Sequence, residues 1–126
     1  MIIVGTNTDW LTRDRALLRD TIAAMIEANR AIYREKDKVI PIIVQATEKP
    51  RDAVEFAWER NTKNCVWGVN EGYNEQRTQW TIDNDVREGD IDAAKKPTPA
   101  QVFNLPFAKE AVEAAGGRTT IGKCTE

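Results

Sequence analysis

The chain has 126 residues, 41% of them hydrophobic, and its 18 basic and 20 acidic side chains leave a formal charge of −2. That length holds one domain, and the near-balance of charge supplies no field to steer the molecule toward phosphate backbones or anionic lipid. Histidine is absent, which excludes Ser-His and Cys-His dyads, histidine-ligated zinc and imidazole acid–base chemistry. Leu, Ile, Val and Phe make up about 21% of the sequence, just above the roughly 20% below which charged chains stay disordered, so the expected core is thin.

The longest apolar run, Val39 to Val44, contains Pro41 and falls far short of the roughly 20 residues that cross a bilayer. The opening Met1 to Gly5 has neither the basic region nor the apolar length of a secretory leader, so the chain as written is expected in the cytoplasm.

In chain order, Ile2 to Val4 are contiguous and β-branched and run into the turn chemistry of Gly5-Thr6-Asn7-Thr8-Asp9, which predicts a short buried strand followed by a loop. That strand has few partners in the sequence, since Ile42 to Val44 and Val66-Trp67 are the only other β-like runs. Thr12 reads as the N-cap of a long amphipathic helix from about Arg13 to Glu35, with Leu18, Ile22, Met25 and Ile32 inward and Leu17, Ala24, Ala28 and Ala31 widening the same stripe. Its outer face, Arg15, Arg19, Glu27, Arg30 and Arg34, reads as solvated surface.

Asp37 is placed to cap a short buried helix from Lys38 to about Ala46 that tolerates Pro41 near its first turn. Pro50 suits the opening of a third helix through Val54 and Trp58 to the polar run Asn61 to Asn64. After a loop rich in Gly and Asn, Asn74 caps a helix through Trp80, Ile82 and Val86 to Gly89. Asp90 to Pro97 reads as a linker. Thr98-Pro99-Ala100-Gln101 is a capping box with proline at the first helical position, and Phe107 to Ala115 form a last helix closed by Gly116-Gly117. No repeat or low-complexity segment is visible.

Several constellations fail on chemistry. In Gly117 to Cys124 two glycines and Lys123 have phosphate-loop spacing, but Cys124 stands where a magnesium-binding hydroxyl is needed and no helix follows. Gly5 lacks the second and third glycines of a dinucleotide fingerprint, whose places hold Asn7 and Trp10. Counting a calcium loop from Asp83 puts Glu88 at the glycine position and Ala94 at the bidentate glutamate position. The 20 acids show no spacing that selects a catalytic pair. Trp10, Trp58, Trp67 and Trp80 read as closing the edges of a thin core before they read as stacking platforms. Cys65 and Cys124 have no metal-site spacing; they are either two unrelated thiols or a disulfide. A bridge would favour folding by about 3–4 kcal/mol on the chain-entropy model, in an oxidising compartment.

Thr8-Asp9-Trp10-Leu11-Thr12, followed by a helix containing Ala24-Met25-Ile26-Glu27-Ala28-Asn29-Arg30-Ala31-Ile32-Tyr33, resembles the carboxy-terminal part of periplasmic substrate-binding proteins of ABC importers. The branch it is most similar to is the one with sulfonate-, taurine-, nitrate- and thiamine-pyrimidine-precursor-binding members. Val66-Trp67-Gly68 and the segment Thr98 to Phe107, with Ala111 and Gly116, are similar to that family's later elements.

The resemblance covers nearly the whole chain but only about the last two-fifths of a complete binding protein. It implies an α/β, mostly helical fold: the carboxy-terminal portion of a type II periplasmic-binding-protein-like fold, with one short strand and about five helices. Residues 1–126 would then form a single partial domain. The family's role implies a periplasmic, non-enzymatic part that captures a small-molecule solute without a cofactor or metal. Its partners would be an ABC permease and the remaining lobe of the binding protein, with no nucleic acid and no direct membrane insertion.

By position, where the strand leaves the hinge, Thr6 and Asn7 are the candidate ligand contacts, their hydroxyl and amide able to donate to an anion. The family's pyrimidine-synthesising relatives use a histidine that this chain lacks. The alternative expectation is a freestanding helical interaction module that exposes apolar surface on the long helix or around Trp10.

Overall fold

The computed structural model describes residues 7–126; the expected strand Ile2 to Val4, and Thr6, lie outside the described residues. Those described are mostly helical. They form α1 (Thr8–Arg13), α2 (Arg15–Arg34), α3 (Lys36–Thr47), α4 (Arg51–Lys63), α5 (Glu75–Glu88), a single 3-10 turn (Ala93–Lys95), α6 (Pro99–Val102) and α7 (Leu105–Ala114). The one β feature among them is an isolated antiparallel bridge between Ile121 and Cys124.

The long helix expected from about Arg13 to Glu35 is α2, and a separate short helix, α1, stands before it where a loop was expected, the two parted at Asp14, whose backbone leaves the helical region (φ −124°, ψ 40°). Thr12 is therefore not an N-cap: it lies inside α1, and its hydroxyl donates to the Thr8 carbonyl. Asn7 caps α1 through its side-chain oxygen, which accepts the Trp10 N–H at 2.7 Å. Asp14 caps α2 in position only, its carboxylate being committed to Arg13 at 3.0 Å. The same device recurs at Glu35, which separates α2 from α3 (φ −123°, ψ 48°) while its carboxylate pairs with Lys38 at 2.7 Å. As a result α3 starts two residues earlier than expected. Asp37 sits in its first turn, and Pro41 interrupts one hydrogen bond, that to the carbonyl of exposed Asp37, where water can serve the acceptor.

The later elements follow their start signals more closely. Asn74 caps α5 by accepting the Arg77 N–H at 2.9 Å, and Gly89 ends it at φ 87°. At α6 the Gln101 side chain reaches back to the Thr98 N–H at 2.8 Å, the returning half of the capping box. The linker Asp90 to Pro97 contains the 3-10 turn, opened by Asp92 accepting the Ala94 N–H.

Packing is centred on α2. Ala23 and Ile26 meet Ala111, Val112 and Ala115 of α7, with Ile22 at the edge; small side chains let the two helices approach closely. Arg15 lies 4.8 Å above the Phe107 ring and also pairs with Glu110, so the start of α2 is tied to α7 by both aromatic and ionic contact. A second helical pair, α3 and α4, is closed around Ile40 and Val54. The loop residue Val69 is fully buried, its carbonyl accepting from Arg30 of α2.

Candidate functional site

The densest polar structure in the molecule is a clasp between α2, the loop after α4 and the C-terminal tail. Arg30 is only 6% exposed, which corrects its expected place on the solvated face. Its guanidinium donates to the carbonyls of Val69 (2.8 Å), Ala115 and Gly117 (2.7 Å), and to the Asn70 side-chain oxygen (3.3 Å). All of these partners are neutral. Two of them, Ala115 and Gly117, lie at and just past the end of α7, where the helix dipole presents negative charge. Burial, and then the charge of Arg34, pull the guanidinium below its usual range while Glu27 acts the other way; guanidinium retains its proton there, so a charge is held inside by carbonyl oxygens.

Asn70, 3% exposed, completes the node. Its amide nitrogen donates to Thr119 and Thr125 carbonyls, both at 2.8 Å, and its oxygen accepts the Thr119 N–H at 2.9 Å. The Glu126 carbonyl accepts from Val69 and Asn70, and Arg118 pairs with the nearly buried Glu71. Cys65 and Cys124 are joined, S–S 2.08 Å and Cα–Cα 5.3 Å. The segment that looked like a phosphate loop is thus spent on holding the tail, with Gly122 (φ 60°) turning the chain between the bridged Ile121 and Cys124.

Beside the clasp, a groove of about 230 Å³ runs between α3 and α4. Ile43 and Thr47 line it from α3, Ala53, Ala57, Trp58 and Asn61 from α4, and Lys49 and Trp67 from the loops that follow these helices. Both indoles are fixed. Trp58 donates to the Ile32 carbonyl at 2.8 Å and carries Lys36 4.9 Å from its ring. Trp67 meets Tyr33 edge-on at 6.0 Å, and the Tyr33 hydroxyl both donates to the Trp67 carbonyl (2.8 Å) and accepts its N–H (3.2 Å). Burial pushes the Tyr33 phenol up, partly offset by the Trp67 backbone N–H that its oxygen accepts. Trp10 and Trp80 are exposed.

Of the residues expected at a site, Asn7 caps α1 as described, Thr6 lies outside the described residues, and the two cysteines meet. Among the described residues no group of His, Cys, Asp and Glu could hold a metal ion. Asp83, in the calcium-like run, is instead paired with Lys96 at 2.6 Å and accepts from Gln79; these contacts hold its carboxyl below the usual range.

The sequence reading missed Arg30 and Asn70. For Arg30 a signal existed: it stands seven residues after Ala23 and four after Ile26, on the inward stripe of α2. For Asn70, in an irregular loop, no periodicity applies. No protein-family model, no curated protein and no solved structure matches this chain.

Proposed function

We propose that the chain is the carboxy-terminal part of the solute-binding component of an ABC-type importer. In this reading it is a non-enzymatic piece that, with the rest of its binding protein, captures a small molecule and delivers it to a membrane permease. The observation that carries the reading is the chemistry of α2. Leu18, Ala23, Ile26 and Arg30 face the core. Leu17, Ala24 and Ala28, on the opposite side at 3.6 residues per turn, are apolar as well but exposed, with Met25 beside them. A helix apolar on two sides is suited to lie between two layers, and only one layer is present among the described residues.

Asn7, the candidate ligand contact among the described residues, opens α1, the helix that leads into α2. The disulfide fits an oxidising compartment such as the periplasm. A second reading, a helical interaction module, is favoured by the same uncovered side if a partner protein's helix lies on it.

The test is to express the chain fused to the coding sequence found upstream of Met1 and titrate the product with taurine, nitrate and an aminopyrimidine by calorimetry. Binding of one of them, together with weaker dye binding than the 126-residue chain shows, is the expected result. A 126-residue chain that is monomeric, melts cooperatively and binds no hydrophobic dye would overturn the reading.

A further inference from the structure

The geometry points to the groove between α3 and α4 as a binding site for a linear, medium-chain carboxylate, its chain lying against Trp58 and Trp67 and its anionic group on Lys49. This inference rests on the groove alone and is independent of the importer reading.

Size sets the first limit. At about 230 Å³ the groove is smaller than the roughly 300–1,000 Å³ of sites for drug-sized molecules. Shape sets the second. The lining of α4 runs from Ala53 to Asn61, which at ~1.5 Å per residue is about 12 Å, a length filled by an unbranched chain of about eight to ten carbons and too long for a compact ring. Ala53 and Ala57 keep the channel open, since any larger side chain at either position would occupy it.

Charge selects the head group. No carboxylate lines the groove, and Lys49 is its one charged residue. Among the described residues Lys49 has no ion pair, whereas Lys36, Lys38 and Lys96 are each matched to an acid. The shallow depression on the α2–α7 side differs: Asp20, Glu110 and Glu113 outnumber Arg19 there, and Arg19 is already paired with Asp20. An anion is therefore accepted at the α3–α4 groove and repelled at the other. The two indoles are locked by Ile32, Lys36 and Tyr33 before any ligand arrives, so little side-chain ordering opposes binding.

The experiment follows the four indole N–H resonances of the oxidised 126-residue protein by NMR during titration with octanoate, octanamide and butyrate. The expected result is a saturable shift of Trp58 and Trp67 with octanoate, while Trp10 and Trp80 stay in place. Octanamide should bind up to about fivefold more weakly, the worth of one exposed ion pair, and butyrate at least about tenfold more weakly for want of four buried methylenes. Lys49→Gln should erase the preference for acid over amide. Ala57→Leu, at an exposed helical position, should abolish the shifts without unfolding the chain. Equal binding of acid and amide, equal binding of butyrate and octanoate, parallel shifts at all four tryptophans, or full binding by the Ala57→Leu protein would each overturn the proposal.

Discussion

Leu17 and Leu18 are adjacent on α2, yet the first is 61% exposed and the second 2%. On the Leu18 side the helix carries a close-packed apolar contact with α7 and, one face further round, the Arg30 node. On the Leu17 side it presents Ala24, Met25 and Ala28 to the exterior. The covered side is held by oriented hydrogen bonds that accept no other arrangement, while the uncovered side offers only area, which is indifferent to what covers it. The molecule has spent its specificity on fixing its own tail and left its general stickiness outside.

The largest break in this contrast is Arg30→Ala. Three carbonyls would lose this donor, and the Asn70 oxygen would keep only the Thr119 N–H. The expected destabilisation is about 3–5 kcal/mol, since each buried acceptor left unsatisfied costs about 1–3 kcal/mol, a large share of the roughly 5–15 kcal/mol available to a domain. Urea midpoints of the two proteins measure it. Arg30→Lys should recover only part, because an ammonium cannot fork toward acceptors on three segments. Next in size is loss of the disulfide in the Cys65→Ser, Cys124→Ser double variant. Its span of 59 positions corresponds to about 4 kcal/mol on the chain-entropy model. Hydrogen exchange should show protection vanishing first over Arg118 to Thr125 while the α2–α7 amides keep theirs, since that helical pair does not depend on the bridge.

What could be read in advance follows from which forces are local. Asn74, Gly89, Thr98 and the Gly116-Gly117 pair mark helix ends through bonds made within a few residues, and the α5, α6 and α7 boundaries followed them. Asp14 and Glu35 break the helices through side chains that turn to Arg13 and Lys38 instead of capping, and no propensity rule encodes that choice. Arg30 was misplaced because the inward stripe was drawn through Leu17, Ala24, Met25 and Ala28, which are exposed, whereas the buried stripe runs through Leu18, Ala23 and Ile26 to Arg30. The clasp as a whole joins residues 30, 70, 115 and 117–126, and such a meeting is fixed by tertiary packing. The groove depends on where α3 and α4 leave space, so the tryptophans were legible as aromatic weight near a core edge but Trp58 and Trp67 not as part of its lining.

A smaller effect sharpens the comparison at the junction of clasp and groove. Tyr33→Phe removes the hydroxyl that holds Trp67 by both its N–H and its carbonyl, which should cost about 1 kcal/mol at pH 8. The phenol's folded value is raised, so its contribution is fully present below the unfolded tyrosine value near 10 and is lost as pH rises through the folded value. The stability gap between the parent and the Phe variant should therefore narrow above about pH 10. A gap that stays constant or widens there would show that the hydroxyl is not held as described.

The smallest expected effect on stability is the one that speaks most directly to the uncovered side. Leu17→Glu with Ala24→Glu adds two charges at exposed positions, so the urea midpoint of the 126-residue chain should stay within about 0.5 kcal/mol of the parent. Leu18→Ala, one position along, should cost about 2–5 kcal/mol for the cavity it leaves. Hydrophobic-dye emission should fall in the double Glu variant, because the patch the dye occupies has been charged. In a longer protein where a second layer covers this side, the order reverses: two buried carboxylates without partners would be penalised far more than a lost methylene cluster, and the Glu pair would become the more damaging change. Whether the same two substitutions are harmless in the short chain and disruptive in the extended one separates a surface that waits for a cover from one that is simply wet.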